Sequence, residues 1–493
     1  MANYPIPVVG GYNIDSSTSF DSQDSINWWP RVDPVNNKRR MVPTSGTEVL
    51  DTFENSATTG PGRASYTVGT LEYHVVEDQV YTRDVDGNVA NIGTLSSSSG
   101  YVGITSNNLQ VLFVDGADGW VYTIATADFS EVTSAGFPSA PIDCVFIEGF
   151  FFVIQGLTTE FFQSAPDDAF TWDASNFAAA NSEGDALVAC RSLNNRLWLF
   201  SNYSISIWEN QGRAGFAFRQ DLNLLYNIGA YNAKSTVTNE GVMIFPARTT
   251  AGVGSIYMTS GGAPRVVSTY TIDTFLSEKS ESGGLEDLEA FLFKENGQLF
   301  YQLSSTTGNF TKLYNNNDQS GNAWSSRQMI DGNRHIASSY VFFNGQGHIL
   351  SYKSNDLYQM SQFIATDSGT PIYRMRKTVN FYIENYNPLK IIRIQANCEN
   401  GVGITGTPNF YSPSYIQGAD PKCYLSISRD GGTIFGNQHP APLGRIGEFD
   451  RRTFWDKLGK TGKKGQLSLM FEIFDPVSTC LIDANLEYQE AAR

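Results

Sequence analysis

LQVLFVDGADGWVYTI, residues 109–124, sets two apolar runs around a polar core in which Asp115-Gly116 and Asp118-Gly119 stand close together. Each run is too short for a helix, and Asp-Gly steps supply the positive-φ geometry that a tight antiparallel hairpin requires. The stretch therefore reads as strand, turn, strand. The same arrangement recurs in DQVYTRDVDGNVANIG (78–93), EGFFFVIQGLTTEFFQSA (148–165), NNRLWLFSNYSISIWEN (194–210), EGVMIFPARTTAGVGSIYMTS (240–260), NGQLFYQLSSTTGNFTKLY (296–314) and GQGHILSYKSNDLYQM (345–360). Successive units lie roughly 30 to 60 residues apart, the range in which four-stranded propeller blades repeat. The expectation is an all-β chain with a β-propeller of six or seven blades over residues 61–370. Two stacked sandwiches share this spacing, and no Trp-Asp or kelch signature separates the two architectures.

The flanking segments differ in texture. Residues 1–60 carry Pro5, Pro7, Pro30, Pro34 and Pro43, which argue against regular strands over much of the stretch. An extended N-terminal arm that packs with a platform is expected there. From residue 371 to residue 493 alternation resumes, as in PLKIIRIQANCE and QLSLMFEIFDP, so a C-terminal β platform domain is expected. One segment, SEKSESGGLEDLEAFLFKENG (277–297), suggests a helical turn or two starting at Ser282 or Gly283, ahead of acidic residues.

Composition excludes several functions. With 41% hydrophobic, 13% aromatic and only 17% charged residues, the chain lacks the Ala/Leu/Glu/Lys signature of a helical bundle. A formal charge of -16 opposes any binding that draws its affinity from cations on phosphates. It leaves room for a passive conduit, because an acidic wall repels a polyanion over roughly a Debye length, about 8 to 10 Å at cellular salt. Cys144, Cys190, Cys398, Cys423 and Cys480 are odd in number and scattered, as expected of buried thiols and not of a disulfide framework. No apolar run approaches a membrane span and the first residues do not resemble a secretory signal, so no membrane insertion is expected.

Chemistry has few anchors. His74, His335, His348 and His439 form no zinc-type spacing and read as surface or blade-edge residues. GxSxG, Walker A and a dinucleotide glycine motif are missing, and no cofactor is implied. SRDGGTIFG (428–436) resembles the Asp-box of sialidases, yet Ser428, Asp430, Gly432 and Phe435 suffice to build a hairpin turn, and the full pattern occurs once. Asp167-Asp168 reads as a solvated turn, and Arg63, Arg191, Arg196, Arg213 and Arg334 are spread through the array. A glycosidase would need such groups to converge in one pocket. Candidate interface residues are the basic clusters Lys38, Arg39, Arg40 and Lys457, Lys460, Lys463, Lys464, together with Trp28 and Trp29, which need something to pack on, another molecule or the chain's own C-terminal domain.

The C-terminal stretches YLSISRDGGTIFG, GRIGEFDRRTFWDKLGK and LSLMFEIFDPVSTCLIDANLEYQ resemble the ending of packaged-DNA stabilization proteins, the tail hub or nozzle subunits of short-tailed bacteriophages. SINWWPRVDPVNNKRRMVPTSGTEVL resembles that family's arm, GPGRASYTVGTLEYHV the entry to its first blade, and the segment from DAFTWDASNF to SISIWEN a later blade. Trp28-Trp29 and Arg31 depart from the usual arm pattern. The resemblance implies a non-enzymatic virion tail protein, assembled in the bacterial cytoplasm, whose propeller is flanked by a platform built from N- and C-terminal segments. It further implies a homohexameric ring below portal and adaptor proteins. Such a ring contacts tailspikes or fibres and in some phages a needle, and it surrounds double-stranded DNA without sequence specificity. Arg451, Arg452 and Trp455, in the matching ending, join the candidate interface residues. The competing expectation is a glycan-degrading or glycan-binding propeller acting on host surface polysaccharide.

Overall fold

The computed structural model of the chain describes residues 2–15, 17, 21–33, 35–36, 38–53, 60–180, 184–250, 252–318, 321, 323–382, 387–404, 416 and 418–490. Its strands fall into a seven-bladed β-propeller and a two-sheet platform, with one helix, Tyr270–Glu281, among the described residues. The blades occupy residues 62–94, 103–131, 141–179, 187–226, 229–266, 289–326 and 337–361. Their first strands pack on one another in sequence, except that the strand Val237–Asn239 serves in blade five, and blade seven returns to blade one.

The apolar runs follow from this geometry. In the strand Gln110–Val114, Val111 and Phe113 face blade one, while Leu112 and Val114 face blade three. Phe151 and Val153 likewise point back to blade two, and Phe152 and Ile154 forward to blade four. Leu197 and Leu199 then meet blade three, and Trp198 and Phe200 meet blade five. Side chains alternate across a strand, and a propeller buries both faces of each sheet, so polar-out alternation disappears in the middle strands.

The circle is closed by a strand from the other end of the chain. Gly46–Thr52 pairs antiparallel with Asp356–Ser361 and becomes the outer strand of blade seven, with Thr47 opposite Met360 and Val49 opposite Tyr358. Residues 46–52, assigned to the arm from sequence, thus belong to the propeller sheet. Phe53, directly after the strand, is fully buried with its ring 5.0 Å from that of Tyr81 and 5.1 Å from that of His74 in blade one.

The platform packs two sheets over one core. One contains Ala2–Ile6, Trp28–Val32, Arg39–Pro43, Leu389–Cys398, Thr453–Asp456 and Leu481–Glu490; the other contains Asp24–Ile26, Arg374–Lys377, Lys422–Ser428, His439–Pro442 and Gln466–Ile473. Between them lie Trp28, Leu389, Ile394, Leu425, Leu469, Phe471 and Leu486. A parallel bridge from Ile26 to Ser326 joins the second sheet to the outer strand of blade six.

Two sequence expectations fail here. Pro5, Pro30 and Pro43 lie inside strands, because Ala2–Ile6 and Trp28–Val32 are edge strands and Pro43 ends its strand, where a missing N–H costs no ladder bond. Pro34 lies outside the described residues. The helix starts at Tyr270, with the Thr269 hydroxyl accepting from the Ile272 amide, and Ser282 caps its C-terminus instead of opening it. The side-chain oxygen of Thr269 was the stronger N-cap signal.

Gly46 marks a point of close backbone approach in the closure. A Cβ there would lie 2.4 Å from the Thr366 carbonyl oxygen and 2.5 Å from that of Ile364, both backbone atoms that cannot swing aside. Gly46→Val should therefore lower stability by about 1–3 kcal/mol. Thermal unfolding measures the loss, and limited proteolysis should release the N-terminal segment faster than in the parent; an unchanged melting temperature and digestion pattern would refute the closure geometry.

Candidate functional site

Where the first strands of the blades begin, two adjoining cavities of about 470 and 380 Å³ open on the propeller axis. Their walls include Gly62, Tyr101, Gly116, Ile142, Val188, Asn232, Glu289 and Ser338, so every blade reaches them. A pocket of this kind is the default binding site of a propeller. Its chemistry depends on which polar groups remain available.

Almost none of the charged groups does. Arg63 in blade one spends all five donors on Gly100 O, Glu77 O, Ser97 O, Ser97 Oγ and Ser99 O, which ties blade one to the connection into blade two. The Thr105 hydroxyl of blade two accepts from the Phe146 amide of blade three at 2.9 Å. Asp143 of blade three pairs with Arg191 of blade four, whose other donors go to Cys190 O, Tyr101 Oη and, in blade five, Ala233 O and Thr236 O. Lys234 of blade five reaches Glu289 of blade six at 2.6 Å. Glu289 also pairs with Arg334 and accepts from the Ser338 hydroxyl of blade seven. The same hydroxyl lies 3.1 Å from Gly62 O in blade one, so its single proton is shared between the two acceptors and closes the circle. The axial residues form a belt of polar ties crossing each of the seven blade boundaries.

A second tie lies deeper at the closure. Glu72 of blade one joins His74 and, from blade seven, His348, each at 2.7 Å, and Arg83 links Glu72 to Asp51 of the closing strand. Burial raises the Glu72 carboxyl, but hydrogen bonds from His348 and His74 outweigh it and hold the group down at about 2. His335 lies buried between blades six and seven, where desolvation and the nearby Arg327 push it down to about 4 against the pull of Asp367. His74, His335 and His348 are thus interior groups, contrary to the surface placement expected from sequence; only His439 is exposed. Their signal was present in the apolar residues flanking each one, as in EYHVV and GHILS.

This arrangement differs from a hydrolase site. A guanidinium cluster that grips a substrate carboxylate needs free N–H forks, whereas Arg63 and Arg191 direct theirs at backbone carbonyls. Glu289 and Asp143 are each locked to a cation. Arg196 pairs with Glu209 at 2.6 Å on blade four and Arg213 is exposed, both away from the axis. Asp167 occupies a hairpin turn with φ 54°. No group of metal-ligating side chains occurs among the described residues.

The other predicted residues divide into buried anchors and exposed cations. Trp28 fills the platform core and donates to Thr479 O at 3.2 Å, and Trp29 packs edge-on against Phe300 of blade six. Both are 1% exposed, so the pair bridges platform and propeller within one chain instead of facing a partner. Trp455 is likewise interior, donating to His439 O. Lys38, Arg39, Arg451, Arg452, Lys463 and Lys464 are exposed, and Arg40 lies 3.6 Å from Glu399. In SRDGGTIFG, Asp430 accepts from the Ser428 hydroxyl and the amides of Thr433 and Ile434, Gly431 and Gly432 take φ near +88° and +87°, and Ser428 bridges to Phe435. Phe435 is only half-buried, with Lys377 over its ring. The turn sits in the platform sheet, outside the blades. Sequence reading did not single out Arg376, which is fully buried and holds the arm through Val8 O, Gly11 O, Asp24 O and Gln23 Oε1.

Fold and site together define a structural β-propeller whose axial charges serve as blade ties. The sequence model described as "Bacteriophage P22 Gp10, beta-propeller" matches residues 4–365, and the chain belongs to this family of structural proteins of the phage tail. The match ends before the platform's C-terminal segment, which begins with the strand Arg374–Lys377. No curated protein sequence matches the chain. Similar solved structures include the N-terminal domain of Nup159, at 8% identity and TM-score 0.39 over 65% of this chain and 97% of that one. Selenomethionine-substituted virginiamycin B lyase from Staphylococcus aureus is similar at 11% identity and TM-score 0.44, over 64% and 99%. The extracellular domain of the putative one component system BT4673 from B. thetaiotaomicron is similar at 8% identity and TM-score 0.43, over 75% and 48%. Scores this low carry no argument about what the chain does.

Two outcomes test the belt. Arg191→Met leaves Asp143 buried and unpaired, so stability should fall by about 3–5 kcal/mol, and the double variant with Asp143→Asn should lose less than the sum of the singles. Additive losses in denaturant titrations would contradict the pairing. For His335 the folded value lies below the unfolded value near 6.5. The unfolded chain therefore binds the proton first, and stability that is full above pH 6.5 declines as pH falls toward 4. His335→Gln should remove about 2–3 kcal/mol of that decline between pH 7 and pH 4.5. Parallel pH profiles for parent and variant would show that His335 is not the buried group responsible.

Proposed function

We propose that the chain is the protomer of a hexameric hub in the short tail, extending the DNA channel below portal and adaptor. It retains packaged DNA and lets it pass at ejection. The observation that carries this reading is the family match over residues 4–365. A protomer stiffened by blade-to-blade ties and a shared platform suits a part whose work is to transmit load. The charge of -16 suits a wall that does not adhere to a polyanion. In this reading the hexamer assembles in the host cytoplasm and offers outer surfaces to tailspikes or fibres and, at its exit, to a needle.

The glycan-processing alternative gains no support from the axial cavity, because the arginines that would grip an acidic sugar are already saturated. Cryo-electron microscopy of the intact particle tests the proposal. A six-fold collar of this chain beneath the portal vertex is expected, with each protomer burying well over about 1,000 Å². Absence of the chain from the particle, or turnover of host polysaccharide by the purified chain, would overturn it.

A further inference from the structure

On the propeller face where the hairpin turns of blades six and seven lie side by side, a cavity of about 220 Å³ is lined by Glu295, Tyr340, Phe342, Met360 and Phe363. Phe342 and Phe363 are 62% and 57% exposed, large values for phenylalanine. In the same lining, Glu295 Oε1 is buried without a hydrogen-bond partner. Burial raises its carboxyl, and Ser45 and Arg327 offset this only in part. Arg327 is directed elsewhere, to Ser45 O, Gln302 Oε1 and Met360 Sδ. Lys294 on the rim is held by Glu240 at 3.1 Å. A buried, unpartnered carboxyl oxygen in a cavity that the exposed Phe342 also lines is matched by an ammonium group, which gains from the charge and from the ring.

The same chain presents such a group. The loop KLGKTGKKG is pinned from inside, with Arg429 donating to Lys460 O and Leu458 O and the Thr461 amide to Leu389 O. That leaves Lys463 and Lys464 exposed between Gly462 and Gly465. Neither takes part in an ion pair among the described residues. The loop enters Gln466–Ile473, six strands along the continuous sheet from Glu289–Glu295. At about 4.8 Å per strand that is roughly 29 Å, beyond the reach of a lysine side chain, so the loop cannot fill its own cavity. Two different complementary patches on one chain are what a head-to-tail contact that closes a ring requires.

We propose that the cavity at Glu295, Phe342 and Phe363 is the socket of a contact between copies of this chain, receiving the Lys463–Lys464 turn of the neighbouring protomer. The inference rests on the hub reading and supplies one of its subunit contacts. All five native cysteines are buried, so engineered surface cysteines can be crosslinked with little background. In particles carrying Phe363→Cys and Lys463→Cys together, a short bis-maleimide should join chains into oligomers up to the closed ring on a denaturing gel. Each single variant should stay monomeric. Glu295→Lys should reduce incorporation into tails at least tenfold, and combining it with Lys463→Glu and Lys464→Glu should restore much of the loss. Six-fold collars that form with no crosslink and are indifferent to the charge exchange would overturn the socket and leave the hub intact. Crosslinking of Phe363→Cys to Arg39→Cys in place of Lys463→Cys would also overturn it. Particles with no collar would overturn the hub reading and the socket with it.

Discussion

The structure depends on one pairing, that of Gly46–Thr52 with Asp356–Ser361. Every blade buries both faces, so an unclosed array would expose the inner surfaces of blades one and seven and leave a free sheet edge. Closure by a strand drawn from three hundred residues away in sequence secures the seventh contact, blade seven on blade one, that turns the six of an open row into a circle. Because the residues just before that strand are already woven into both platform sheets, the closure ties arm, propeller and platform into one body. Trp28 and Trp29 express this at the level of side chains, one ring in the platform core and the next against blade six.

Apolar packing alone does not fix how seven similar wedges meet. The polar belt contributes to that, because buried arginines and carboxylates are costly unless their donors and acceptors are satisfied, and this placement of the blades satisfies those of Arg63 and Arg191. The same saturation that makes Arg63, Arg191 and Glu289 good ties makes them poor ligands for a substrate. An axial cavity that resembles an active site in position is a strut in its chemistry. Membership in a family of phage tail proteins accords with that balance.

Much of this was legible in the sequence. Asp-Gly turns and four-to-six-residue apolar runs specify hairpins locally, so the all-β class followed from repetition, the blade-like spacing pointed to a propeller while leaving stacked sandwiches open, and the turn of SRDGGTIFG followed from its own side chains. What was not legible depends on contacts distant in sequence. The closing strand Gly46–Thr52 has no local mark that it belongs to blade seven, and the prolines near it looked disruptive because edge positions cannot be read from composition. The histidines looked superficial because their carboxylate partners come from other strands or blades, Glu72 for His348 and Asp367 for His335. Trp28, Trp29 and Trp455 looked like interface residues for the same reason: a large aromatic next to polar residues does not reveal which part of its own chain covers it.

Native-state hydrogen exchange of the intact chain, read peptide by peptide, tests the closure most directly. Amides of residues 46–52 should exchange only with those of residues 337–361 and of blade one, in a single cooperative opening close to global unfolding. If residues 46–52 exchange early while both neighbouring blades stay protected, the strand is an ornament on a circle that closes without it, and the central claim is wrong.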